Sequence, residues 1–134
     1  MIREFDHKDK EGVLECLKEV WSITSIDDNF LSDYLSNHNI LYVIDLDGEI
    51  AGCATLHLQK KLIRNGSTAG FIEDVVVKEK YRNNKLGESL ISHLVDKAKE
   101  NQCYKIVLSC YPERISFYER CGFFKETITM RKHL

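Results

Sequence analysis

The sequence predicts an α/β chain of the α+β kind, with one mixed central β-sheet carrying helices on both faces. Three observations predict it. Apolar residues at helical spacing take turns with short β-branched runs in the order β-α-α-β-β-β-α-β-α-β. Asp47-Gly48, between two such runs, is a strong hairpin turn signal. A strand, a long amphipathic helix and a second apolar strand follow one another over residues 70–110, the pattern of a parallel βαβ unit.

Each element has its own signal. Residues 1–6 read as a short strand. Over 10–21, Val13, Leu14, Leu17, Val20 and Trp21 recur at helical spacing. A second short helix carries Phe30, Leu31, Tyr34 and Leu35, entered through Ser25-Ile26-Asp27-Asp28, which has capping-box chemistry. Residues 40–45 and 50–60 form the hairpin, a loop closes near Gly66, and a strand runs over 70–77. Leu86, Leu90, Ile91, Leu94, Val95 and Ala98 share one face of a helix over 86–102. Residues 104–110 form a strand, 113–121 a last short helix stopped by Gly122, and 123–131 a final strand.

With 134 residues and no Pro/Gly/Ser linker or internal repeat, residues 1–134 are expected to form one domain. Hydrophobic residues at 43% and charged residues at 30% are enough to build a core without disulfides or metal. The net charge of −2 gives no reason to expect nucleic acid or an anionic membrane as partner. No apolar stretch of membrane-spanning length or signal-peptide core occurs, so a cytoplasmic protein is expected. The five cysteines are scattered without C-x-x-C spacing and read as buried free thiols in a reducing compartment rather than a metal site.

The segment from Gly70 to Glu88 is the most informative. It joins a strand, a basic turn and a helix start, where unpaired N–H groups and the helix dipole favour a phosphate. Over residues 78–85, Lys78, Lys80, Arg82 and Lys85 stand against Glu79 alone, and Gly87 lets backbone approach a ligand. Charge by itself leaves open a solvated turn that merely caps the helix.

Arg82-Asn83-Asn84-Lys85-Leu86-Gly87 resembles the pyrophosphate loop of the GCN5-related N-acetyltransferases (GNAT), Q/R-x-x-G-x-G/A, with Lys85 where that superfamily usually has glycine. Within it, residues 72–77, Tyr81-Arg82, Leu86-Gly87, 103–106, Leu108, Cys110 and 117–123 are similar, in order, to the glucosamine-6-phosphate N-acetyltransferases. The resemblance implies a GNAT fold, acetyl-CoA as cofactor, a homodimer, and acetyl transfer to glucosamine 6-phosphate through a ternary complex, supplying UDP-N-acetylglucosamine synthesis. It implies that the strand at Val75, Val76 and Val77 splays from the strand at 104–110 to pair with the pantetheine arm. It assigns the pyrophosphate to the amides of Asn83, Asn84, Lys85, Leu86, Gly87 and Glu88, with Arg82, and places Arg114 near the cofactor in place of an asparagine.

Acetyl transfer needs a neutral amine, a stabilised carbonyl oxygen and a protonated leaving sulfur. By the same resemblance Tyr118 donates to the departing thiolate, Glu73 and Asp74 lie at the acceptor amine, and the Val75 amide faces the acetyl oxygen. Strand alternation sends Glu73 and Asp74 to opposite faces, so one of them is expected in buried surroundings. Tyr118 equally suits packing at helical spacing.

On the acceptor side, Lys61, Arg64, Tyr104 and Lys105 match positions facing the sugar phosphate. His133, with Arg131 on the same strand face, matches a basic residue donated across the dimer. Ser109 stands where the family carries an acid that orients the amine, and Trp21 stands at a small hydroxyl position touching the sugar. Those departures keep two other readings open: an N-acetyltransferase for a polyamine or protein amine, and a non-catalytic acetyl-CoA-binding sensor.

Overall fold

Hydrogen bonding joins five strands into one mixed sheet, in spatial order β1-β2-β3-β4-β5. The computed structural model describes every residue from Met1 to Leu134. The strands are β1 (Ile2–Glu4), β2 (Asn39–Leu46), β3 (Glu49–Lys60), β4 (Thr68–Val77) and β5 (Cys103–Val107). The helices are α1 (Lys10–Lys18), α2 (Asp28–Ser36), α3 (Leu86–Glu100) and α4 (Ile115–Arg120). All neighbours run antiparallel except β4 and β5, the parallel pair connected through α3.

The hairpin forms where Asp47-Gly48 predicts it. Asp47 and Gly48 have φ of 51° and 96°, and the Asp45 carboxylate takes the Gly48 amide at 2.7 Å. Two apolar clusters cover the sheet. Leu90, Ile91, Leu94 and Ala98 of α3 bury one face together with Tyr42, Ile44, Leu56 and Ile72. Val13 and Cys16 of α1 bury the other with Val43, Ile50, Cys53 and Val76. Full burial of each large apolar side chain contributes about 1.5–3 kcal/mol, so α3 is held by its apolar face.

Three expectations need correction. No strand forms at 123–131: residues 123–134 have no secondary structure, and 124–134 make no backbone hydrogen bond. The period-two pattern is present there, but the segment meets the chain beyond β5 through side chains, Ser109 Oγ to Thr129 Oγ1 at 2.8 Å, and builds no backbone ladder on the open edge of β5. Phe124, Ile128, Met130 and Leu134 are left exposed as a result. The helix predicted over 10–21 stops at Lys18, and Val20 and Trp21 follow in a turn whose amides both return to the Leu17 carbonyl. The capping box belongs to the turn before α1 rather than to α2. There the Asp6 carboxylate takes the Lys8 amide at 3.1 Å and the Asp9 carboxylate takes the Asp6 amide at 2.8 Å. At α2, Asp27 makes a one-way cap to the Phe30 amide at 3.1 Å, since Phe30 has no oxygen to return the bond.

Other bounds shift by a few residues. β4 begins at Thr68, β5 ends at Val107 instead of 110, and α4 is preceded by a 3-10 turn over Pro112–Arg114. All five cysteines are free, but only Cys16 and Cys53 are buried, and Cys110 is exposed. Burial pushes the Cys16 thiol up to about 11, so it stays protonated.

Candidate active site

The site begins where β4 outruns its neighbour. β4 pairs with β5 only from Thr68 to Phe71, against Cys103 to Val107. Beyond that point β5 has ended while β4 continues to Val77, so one edge of residues 72–77 faces no strand.

The other edge of the same stretch pairs with β3, but not evenly. Thr55 is opposite Glu73 and Cys53 opposite Val76, which leaves Asp74 and Val75 facing Ala54 alone. This is a β-bulge, with Asp74 in the left-handed region at φ 53°. The extra residue reverses the alternation of β4. Ile72, Val75 and Val77 pack into the α3-side cluster, while Val76 packs into the opposite one. Neither carboxylate is buried, though alternation leads one to expect it of one of them: Glu73 keeps its regular register opposite Thr55 and Asp74 is the extra residue of the bulge, and both are exposed.

Past β4 the chain makes a 3-10 turn over Glu79–Tyr81 and enters α3 through Asn83 at φ 67° and Lys85 at φ 59°. These left-handed residues fold the loop so that the amides of Asn83, Asn84, Lys85, Leu86, Gly87 and Glu88 find no acceptor within the chain. A run of free amides at a helix start is an anion cradle. The Asn84 carboxamide donates to the Tyr81 and Arg82 carbonyls at 3.3 and 3.4 Å, and Arg82 Nε donates to the Val77 carbonyl at 3.0 Å. Two of the four basic residues are engaged elsewhere. Lys78 is buried and paired with Glu15 at 3.1 Å, and Lys80 is paired with Glu49 at 2.8 Å. Arg82 and Lys85, both within the loop, have no carboxylate partner. Gly87 serves packing: a Cβ there would come within 3.2 Å of the Phe117 ring of α4.

Through that contact α4 is seated against the start of α3. Tyr118 follows Phe117 and is half-buried, with edge-on contacts to Phe117 at 4.9 Å and Phe123 at 6.0 Å between ring centres. Burial raises its pKa, nearby Cys110 and Cys121 add to the rise, and Arg114 opposes it. The phenol therefore stays protonated at neutral pH and retains a proton to donate.

The family model described as "Acetyltransferase (GNAT) family" matches residues 7–123. The chain belongs to this acetyltransferase family. A glucosamine 6-phosphate N-acetyltransferase of Arabidopsis thaliana is 34% identical over 98% of this chain and 95% of its own length. The crystal structure of glucosamine-6-phosphate N-acetyltransferase from Arabidopsis thaliana superposes with a TM-score of 0.92 at 33% identity, over 99% of this chain and 97% of that one. A Trypanosoma brucei acetyltransferase superposes with a TM-score of 0.95 at 30% identity, over 100% of this chain and 99% of that one. The chain is thus an N-acetyltransferase of the GNAT fold, and enzymes of this family use acetyl-CoA as co-substrate.

In this GNAT chain the residues expected at the acceptor divide into two groups. Arg64 and Lys105 both stand over the Tyr104 ring, at 4.9 and 5.6 Å from its centre, and the buried Tyr104 hydroxyl has no partner. Lys61 opens the loop leading to Arg64, its amide bonded to the Ser67 carbonyl at 2.9 Å. The others are not gathered into that cluster. Trp21 is exposed beyond the end of α1, Arg131 and His133 lie in the exposed C-terminal segment, and Ser109 Oγ sits 2.8 Å from Thr129 Oγ1.

One residue of the site escaped the sequence reading. Tyr34 of α2 reaches across to Thr55 Oγ1 at 2.7 Å, and the charges of Asp74 and Glu73 both act on its phenol. Its spacing with Leu31 and Leu35 made it look like core, and only the β3–β4 register brings it to the carboxylates.

Proposed function

We propose that this acetyltransferase moves an acetyl group from acetyl-CoA to glucosamine 6-phosphate, giving N-acetylglucosamine 6-phosphate. The observation that carries the sugar phosphate is the grouping of Arg64, Tyr104 and Lys105, two cations over one ring with an unsatisfied buried hydroxyl beside them. Such a grouping suits a phosphate dianion, for which each well-placed charge-assisted hydrogen bond contributes about 1.5–3 kcal/mol. The name carried by the Arabidopsis relative points to the same acceptor.

The donor fits what the chain presents. The free amides from Asn83 to Glu88, with Arg82 and Lys85, would hold the pyrophosphate of acetyl-CoA, and the unpaired edge of Val75, Val76 and Val77 would take its amide-bearing arm. Arg114 lies toward the same end through its effect on Tyr118. Bound there, acetyl-CoA supplies a thioester carbonyl that the amine can attack. Glu73 and Asp74 attract the ammonium form of the amine and accept its protons. The Val75 amide, turned by the bulge, donates to the carbonyl oxygen. Tyr118 donates its phenolic proton toward the sulfur that leaves.

We further assign a homodimer in the cytoplasm. The apolar side chains at 124, 128, 130 and 134 are exposed on a segment without secondary structure, and a second copy would bury them. That arrangement would carry Arg131 and His133 to the partner's phosphate. Five unpaired cysteines, one of them exposed, suit a reducing compartment.

The test compares glucosamine 6-phosphate, glucosamine, spermidine and a lysine peptide by thiol release under identical conditions. The phosphorylated sugar should exceed glucosamine in kcat/KM by about a hundredfold or more, the effect of two charge-assisted contacts. Equal rates for the two sugars would refute the substrate assignment and leave acetyl transfer standing. Ser109 brings a hydroxyl and no charge, so Ser109→Asp should raise the rate with the sugar phosphate.

A further inference from the structure

We propose that Tyr34 is a positioning residue for the acceptor amine, acting through Thr55 on the bulged stretch of β4 that carries Glu73 and Asp74. The proposal rests on the acetyltransferase reading of the site but not on the identity of the sugar.

The bulge is a conformation that needs holding. Asp74 at φ 53° is a non-glycine residue in the left-handed region, which costs about 1–3 kcal/mol and persists only where the surroundings over-determine it. On one edge β4 has no strand beyond Phe71 to help. On the other edge Thr55, opposite Glu73, is the last β3 residue in regular register before the bulge.

Thr55 is itself 2% exposed, between the fully buried Ala54 and Leu56. Its hydroxyl has a single protein partner, the Tyr34 phenol at 2.7 Å. Leaving a buried hydroxyl unpaired costs about 1–3 kcal/mol, so this bond fixes the Thr55 rotamer. It also ties α2 to the sheet beside the two carboxylates. The Tyr34 ring is steadied from its outer side by Phe30, stacked at 6.0 Å with 28° between planes.

The phenol remains a donor. Burial raises its pKa, the bond to Thr55 opposes the rise, and the charges of Asp74 and Glu73 add to it. The Tyr34 proton is therefore held on the line to Thr55, and the two carboxylates are left to the amine. Without that proton Thr55 is free to turn, the bulge relaxes, and Glu73 and Asp74 drift from the acceptor. Displacements of about 1 Å cost on the order of a hundredfold in positioned reactions.

Tyr34→Phe keeps the ring, its stacking and its volume, and removes only the proton. The expected result is a kcat/KM for the amine lower by about 10–100-fold, with KM for acetyl-CoA within about twofold of wild type. Thr55→Val should give a similar loss, the double variant Tyr34→Phe/Thr55→Val no further loss, and Thr55→Ser near-wild-type activity. In the ligand-free protein, the amide resonances of Glu73, Asp74 and Val75 should move in Tyr34→Phe while those of residues 83–88 hold still. A merely structural tyrosine would lower the melting temperature and leave the kinetic split and the local resonances unchanged, which overturns the proposal. Additive losses in the double variant would overturn it as well. A wild-type protein that acetylates no amine would instead sink the functional reading, and the amide resonances would still decide whether Tyr34 braces the bulge.

Discussion

Lys85 heads α3 with φ 59°, in the left-handed region, at the position where related loops usually carry glycine. For any residue with a Cβ this conformation costs about 1–2 kcal/mol, while glycine adopts it freely. Comparing Lys85→Gly with Lys85→Ala isolates that cost, because both remove the ammonium group. Glycine returns part of its advantage through its freer unfolded chain, about 0.5–1 kcal/mol, leaving a net difference of about 1 kcal/mol. For 134 residues the unfolding entropy is about 0.28 kcal/mol per kelvin, so Lys85→Gly should melt about 3–4 °C above Lys85→Ala. Differential scanning calorimetry of the two proteins without ligand reads this directly. Affinity for acetyl-CoA should fall equally in both, since the lost charge is the same. If Lys85→Ala melts at or above Lys85→Gly, residue 85 does not hold the left-handed conformation and the account of the loop fails.

Gly52→Ala should destabilise the chain by about 1–3 kcal/mol, because the new Cβ would lie 2.6 Å from the Val76 carbonyl oxygen, backbone that cannot swing aside. Calorimetry would show it as a lower melting temperature, accompanied by a higher KM for acetyl-CoA as β4 is pushed outward. Tyr118→Phe should lower kcat by about 10–10⁴-fold with little change in cofactor affinity, and a kcat near wild type would make the tyrosine structural. Asp9 is held below the usual carboxylate range chiefly by its hydrogen bonds to Arg3, against the opposing effect of burial. A depressed folded-state pKa means this stability is present above the unfolded value of about 3.9 and is lost as pH falls through the folded one. Asp9→Asn should therefore flatten the acid limb of a melting-temperature profile below about pH 4 and lower stability near pH 7.

Long periodic elements were the legible ones. α3 has four fully or nearly buried residues at regular spacing, and the Asp47-Gly48 turn needs no tertiary context to be recognised. The loop at 82–87 was legible as a place for phosphate because basic residues precede a helix start, whose first amides are free as a local consequence of the helix beginning there. What escaped depends on pairing between distant residues. The bulge at Asp74 is set by the Thr55–Glu73 and Cys53–Val76 register, so alternation alone misplaced Asp74 and the residues after it. Lys78 and Lys80 looked like part of the anion site until Glu15 and Glu49, far off in the chain, proved to hold them. The missing strand at 123–131 has the right pattern but makes no backbone ladder, and whether an edge is taken up is not written in the alternation of one segment.

The bulge has a further consequence for what this chain can lose. Remove Asp74 alone, and Ile72, Glu73, Val75, Val76 and Val77 become an uninterrupted alternation, each valine still pointing toward the cluster it occupies now. The core would not register the deletion, and β3 would find an even ladder opposite Ala54. Asp74 is therefore a surplus residue as far as folding is concerned, an insertion tolerated against its own backbone strain. Its presence separates what the sheet needs from what the chemistry needs, so shortening β4 by one residue would test catalysis while leaving the architecture almost untouched.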